Sequence, residues 1–106
     1  MDIQITARHF NASEALQERV HSQISKLERF YPNITDAVVV LDAEKEHLRK
    51  VEVKMNILDK TIAAKGEEEN MGKALDSVLK KLERQLKREN EKLKDHKSQP
   101  IVELVD

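Results

Sequence analysis

Between residues 50 and 57, Val51, Val53, Met55 and Ile57 alternate strictly with Lys50, Glu52, Lys54 and Asn56. A period of two puts each set on its own side of an extended chain, so this stretch is a strand with one dry and one wet face. Strands of that kind need a second layer over their dry face, and two amphipathic helical patterns can supply it. Leu16, Val20, Ile24, Leu27 and Tyr31 recur at helical spacing until Pro32 ends them, which predicts a helix over 13–31 capped by Asn11 or Ser13, with Glu14 three positions after Asn11. Met71, Leu75, Val78, Leu82, Leu86 and Leu93 mark a second apolar stripe and predict a helix over 68–94.

Three more strands complete the pattern. Residues 2–8 alternate Ile3, Ile5 and Ala7 with polar neighbours, and 34–43 are rich in β-branched side chains. A turn at Asp59-Lys60 leads to a short strand, TIAAK. The last three strands are expected to form an antiparallel meander, joined first by the hairpin segment EKEHLRK. Glu67, Glu68 and Glu69 read as the acidic first turn of the second helix, where they would face the positive end of its dipole. The fold class is therefore α+β, in the order β-α-β-β-β-α, as an antiparallel four-stranded sheet with two helices packed on one face. Residues 1–95 are expected to form the single domain and 96–106, which include IVELV after Pro100, a mobile tail.

Composition excludes several functions. With 106 residues and 3% aromatics, one modest core of Ile, Leu, Val, Met and Ala is all the chain can build. Cysteine is absent, so disulfides and thiolate metal sites are excluded, and two glycines cannot make a Gly-rich phosphate loop. No apolar run approaches a membrane span and the start lacks a signal-peptide layout, so a cytoplasmic protein with no membrane partner is expected. His9, His21, His47 and His96 fall in no metal-binding spacing, and the serines in no nucleophile context. No catalytic residue, no metal, no cofactor and no small-molecule substrate are expected, and the chain does not read as an enzyme.

The net charge of −1 hides an uneven distribution: −3 over residues 1–72, +4 over 73–97 and −2 over 98–106. The excess centres on KKLERQLKREN, residues 80–90, with five Lys or Arg among eleven positions. At about 100° per residue, Lys80, Arg84 and Lys87 fall within about 40° of Lys73, opposite Leu75, Val78, Leu82 and Leu86. Lys81 and Arg88 flank that stripe, and Asp76 and Glu83 stand at its border. The first helix adds Arg19, Lys26 and Arg29 off its own apolar stripe. Two such helices side by side present cations spaced by helical turns, a surface suited to phosphates along folded RNA. The aromatic platform of single-strand binders is missing from this pattern, which argues for recognition of backbone and shape.

The stretches ITARHF, SEAL, KLERF and KVEV, and above all EEENMGKALDSVLKKLERQLKREN, resemble the short ribosome hibernation promoting factors, also described as the ribosome-associated inhibitor family. The resemblance covers residues 1–94. It implies a fold similar to a double-stranded RNA binding domain, with parallel helices, and a partner in the small ribosomal subunit and its rRNA. In such proteins occupancy of the channel for messenger and transfer RNA silences the ribosome during stationary phase or stress. The family's basic positions match Lys80, Lys81, Arg84, Lys87 and Arg88 on the last helix, and Lys26 and Arg29 on the first. Asn70 and Gly72 depart from the aspartate and tyrosine that many members carry around the methionine. The extra domain with which long members pair ribosomes is not expected here, so ribosome modulation factor is expected as the helper where ribosome dimers form; off the ribosome a monomer is expected. Two other readings remain open, a protein-protein adaptor that docks through the second helix or the tail, and a generic duplex-RNA binder.

Overall fold

The computed structural model describes residues 1–58 and 60–93 in full, and 94–105 by their backbone alone. The mobile tail expected at 96–106, and His96 with it, lies outside the fully described residues. Seven segments follow in order: β1 (Asp2–Arg8), α1 (Glu14–Ser25), a 3₁₀ turn (Lys26–Phe30), β2 (Asp36–Asp42), β3 (Arg49–Asn56), β4 (Thr61–Glu68) and α2 (Met71–Val105). Ser13 wins the choice of cap for α1, its Oγ accepting the N–H of Leu16 at 3.1 Å. The helical pattern expected to run to residue 31 tightens into the 3₁₀ turn after Ser25, and Tyr31 is already extended.

The strands lie side by side in the order β1-β2-β3-β4. The meander of β2, β3 and β4 is antiparallel as expected, but β1 runs parallel to β2, with Ile5 opposite Val39. The sheet is therefore mixed, which corrects the fully antiparallel expectation. The reason lies in the connection: α1 crosses over the sheet between β1 and β2, and such a crossover returns the chain in its original direction. By the same pairing, β1 and β4 run the same way. Each is followed by a helix that packs back over the sheet, the layout of two parallel helices.

Glu67 and Glu68 do not open a helix. They extend β4, opposite Lys50 and Arg49 of β3, with Lys50 Nζ 4.0 Å from Glu67. Cross-strand opposite charges favour that extension. The cap of α2 is Asn70, whose Oδ1 accepts the N–H of Lys73 at 2.8 Å. Asp59 lies outside the described residues, and the turn around it is closed by the N–H of Ile57 donating to the Lys60 carbonyl at 2.9 Å.

The core is the space between sheet and helices. Ala37, Val39 and Leu41 of β2, Val51, Val53 and Met55 of β3, and Ile62 and Ala64 of β4 face it from below. Val20, Ile24, Leu27, Ala74, Leu75, Val78, Leu82 and Leu86 close it from above. Leu16, Met71 and Leu93, the ends of the two helical stripes, are only partly buried. Among the described residues no polar or charged residue is buried. None of the described helices is long and apolar enough to cross a membrane.

Candidate nucleic-acid interface

Burial of one face of α2 dictates where its charges go. With Leu75, Val78, Leu82 and Leu86 turned into the core, Lys73, Lys80, Arg84 and Lys87 are exposed on the other side. Lys73, Lys80, Lys81 and Arg84 surround one open depression with Glu68, Asp76 and Ser77. A second, of roughly 120 Å³, lies between the helices, lined by Gln23, Lys26, Leu27, Arg29, Phe30, Leu79, Lys80 and Glu83. The structure thus joins the basic end of the first helical segment to the basic stripe of α2 through Lys80, which lines both hollows.

Arg19 reaches the same surface further along α1. Its guanidinium stands beside the first turn of α2, 3.4 Å from the place a Cβ on Gly72 would occupy. Arg88 lies on the flank above β4, near Lys60, Gln85, Glu89 and Lys92. Lys81 turns toward the sheet: its Nζ donates to the Lys65 carbonyl, while Gln85 Nε2, one turn on, donates to the Ala63 carbonyl at 3.0 Å. Together they cover alternate acceptors on the outer edge of β4, so Lys81 also serves as a strut between helix and sheet.

Among the described residues, Arg19, Lys26, Lys73, Lys80, Arg84 and Arg88 form no ion pair with an acid of the chain. Lys87 is 3.5 Å from Glu83, the expected i,i+4 pair. The acids that carry strong partners lie off this stripe. Glu89 accepts a hydrogen bond from Lys60 at 2.9 Å and another from Lys92 at 3.2 Å, and the Lys60 bond, then that of Lys92, holds its carboxyl below the ordinary range against some desolvation.

Phe30 is the part of this surface that periodicity does not reveal. Arg29 and Lys87 both stand over its ring, their cationic centres 4.8 and 5.1 Å from the centroid. An aromatic one position off the stripe of Ile24, Leu27 and Tyr31, within the basic stretch KLERF, is the signal that could have found it.

A separate grouping sits where β1 and β2 end. His9 Nδ1 donates to Asp42 Oδ1 at 2.9 Å, and the Glu44 N–H donates to the same oxygen at 2.9 Å. The His9 hydrogen bond foremost, with that from Glu44, keeps the Asp42 carboxyl below its usual range. The ligand atoms of His9, Asp42 and Glu44 lie within 4.8 Å of one another, close enough to share a cation. Lys45, Lys50 and Glu67 line the hollow beside Asp42 and Glu44, and the two ammonium groups offset much of the acids' pull on positive charge.

The fold and this face define a class: a β-α-β-β-β-α domain that presents a cationic surface from two helices laid over one side of a mixed sheet. Residues 3–94 match the family model described as Sigma 54 modulation protein / S30EA ribosomal protein. The chain is 36% identical over 97 residues to the ribosome hibernation promoting factor of Salmonella typhimurium, covering 91% of this chain and 100% of that one. It is 33% identical over 96 residues to that of Escherichia coli K12, covering 91% of this chain and 100% of that one. Among solved structures, it is similar to a ribosomal subunit interface protein from Coxiella burnetii, with a TM-score of 0.75 at 26% identity, covering 85% of this chain and 98% of that one. The N-terminal domain of Protein Y from Thermus thermophilus shares the fold, with a TM-score of 0.75 at 24% identity, covering 83% of this chain and 98% of that one. The chain belongs to the S30EA family of ribosome hibernation promoting factors.

Proposed function

We propose that this protein is a short ribosome hibernation factor. It binds the small subunit in the channel for messenger and transfer RNA and silences translation by steric exclusion during stationary phase or stress. The unit that binds is residues 1–95, it works in the cytoplasm as a monomer until it meets the ribosome, and where inactive ribosome dimers form, a second factor such as ribosome modulation factor assists. The observation that carries the reading is the set of exposed cations without acidic partners among the described residues, Lys26, Lys73, Lys80 and Arg84, grouped around two adjoining hollows. Arg29, Lys87, Arg88, Arg19 and Lys81 extend it. Charge arranged in this way binds phosphate backbones through counterion release and positions the protein without reading sequence.

The test is co-sedimentation with purified small subunits at low and moderate salt, wild type beside Lys80→Glu/Arg84→Glu, the variant's folding checked by circular dichroism. Wild type is expected to pellet with subunits at low salt and the folded variant to stay in the supernatant. Wild type that stays in solution even at low salt would overturn the proposal, and equal pelleting of both proteins would overturn the assignment of the face.

A further inference from the structure

Phe30 lines the inter-helix hollow together with Leu79, while Lys26, Arg29 and Lys80 surround that apolar floor and Gln23 and Glu83 add hydrogen-bonding groups. Apolar floor, cationic rim and amide or carboxylate acceptors are the three things an unpaired nucleotide asks for. Its base needs a flat apolar partner, its phosphate a cation, and its exocyclic amine an acceptor. A hollow of roughly 120 Å³ admits one ring system, and a fully paired duplex has no such element to offer it. We propose that this hollow is a stacking site for a single unpaired RNA base, seated against Phe30, a reading that rests on the RNA-binding role proposed above.

The two cations over the ring explain how the site stays ready. Arg29 and Lys87 both contact the Phe30 ring, and at an exposed site such contacts are weak. Lys87 carries its ammonium on a flexible stem and already shares it with Glu83 at 3.5 Å. When a nucleotide enters the hollow, which Lys87 does not line, its base packs against Phe30 from that side and the ammonium can turn from the ring to the phosphate. Arg29, whose guanidinium is planar, stacks alongside or holds the adjacent phosphate. The protein would then read more than backbone charge: it would prefer RNA that has an unstacked base at the right place.

Phe30→Leu keeps an apolar side chain in the hollow and removes the flat face, whereas Phe30→Trp keeps the face and introduces the chain's only tryptophan. Both are tested for binding to small subunits, with circular dichroism confirming the fold. Phe30→Leu is expected to bind about tenfold more weakly than wild type, with an unchanged dependence on salt, because a stacked base contributes without releasing counterions. Phe30→Trp is expected to bind as wild type does, and its fluorescence to be quenched in step with binding. A second arm compares a blunt RNA duplex with the same duplex carrying one bulged adenosine. Wild type should favour the bulged RNA and Phe30→Leu should not. Wild type that binds subunits while Phe30→Leu binds equally well, or while the indole emission of Phe30→Trp stays unchanged on binding, would overturn the stacking site and leave the ribosome-binding proposal intact. Wild type that binds neither subunits nor either duplex would instead remove the reading beneath it.

Discussion

The height of α2 above the sheet is set at Gly66 of β4, and Gly66→Ala tests that statement. A Cβ at Gly66 would lie 2.5 Å from the Ala74 carbonyl oxygen, 3.0 Å from Val78 Cγ2 and 3.2 Å from Ser77 Cβ. The first of these is backbone in the second turn of α2, tied into the helical ladder, so it cannot swing aside as a side chain would. Restoring an ordinary contact of about 3.4 Å requires the helix to lift by about 0.9 Å over Ala74–Val78, where it passes Gly66, the partner of Val51 across the sheet. Overpacking of this kind costs about 1–3 kcal/mol, and a clash with backbone on one side and two side chains on the others belongs near the upper figure. Alanine recovers about 0.5–1 kcal/mol of the strand cost of glycine. The net loss is then about 2 kcal/mol, which lowers the melting temperature of a domain of this size by roughly 8–16 °C. Gly72→Ala is the matched control: the nearest atoms to its Cβ are the Arg19 guanidinium nitrogens at 3.4 and 3.5 Å and Asn70 Oδ1 at 3.5 Å, so there is room. In the helix it gains up to about 1 kcal/mol, less in a first turn, and its melting temperature should rise by a few degrees. Thermal unfolding followed by far-ultraviolet circular dichroism, with urea titration beside it, reads both. Gly66→Ala melting with wild type, or the two variants moving in the same direction, would refute the packing argument.

Three further outcomes follow from particular contacts. Asn70→Ala removes the cap of α2 and is expected to lower stability by about 1 kcal/mol in urea titration, while Asn70→Asp, which keeps an acceptor for the Lys73 N–H, should not. Glu89 has its folded-state pKa held below the ordinary 4.5, so its contribution is complete above about pH 4.5 and is lost as pH falls through the folded value. Glu89→Gln should therefore be less stable than wild type at pH 7 by about 0.5 kcal/mol, after allowance for screening, and the difference should shrink as pH falls below about 4.5. Lys80→Gln should reduce the slope of log affinity for small subunits against log salt by about 0.7–0.9, the mark of one phosphate contact removed, and an unchanged slope would place Lys80 outside the interface.

Most of the architecture could be read from periodicity because burial imposes it. Val51, Val53 and Met55 had to share a face, and Leu75, Val78, Leu82 and Leu86 had to share another, so the exposed position of Lys80 and Arg84 followed. What periodicity does not carry is direction: nothing in DIQITAR distinguishes parallel from antiparallel pairing, and the crossover by α1 decides it. Local charge rules also misplace Glu67 and Glu68, since an acidic run before a helix fits a first turn as well as a strand. Only the partners across the sheet, Lys50 and Arg49, settle the matter. Phe30 escaped for a related reason: its role depends on Lys87, distant in the chain, coming to rest over its ring. Lys81 shows the converse, a cation correctly assigned to the flank whose hydrogen bond to β4 could not be foreseen from its own helix.

The interior contains no buried polar or charged residue among those described, and no buried side-chain nitrogen or oxygen there lacks a partner. Most of the cohesion and most of the charge are thus held by different atoms. Apart from Lys81, Gln85 and Glu89, which tie α2 to β4 and the turn before it, a lineage can rewrite the outer residues of α1 and α2, adding, deleting or reversing cations, without disturbing the apolar packing beneath. The scaffold tolerates drift in its contact chemistry the way a printing block tolerates new type, and a collection of such domains with differently charged helices should melt at similar temperatures while differing widely in what they grip.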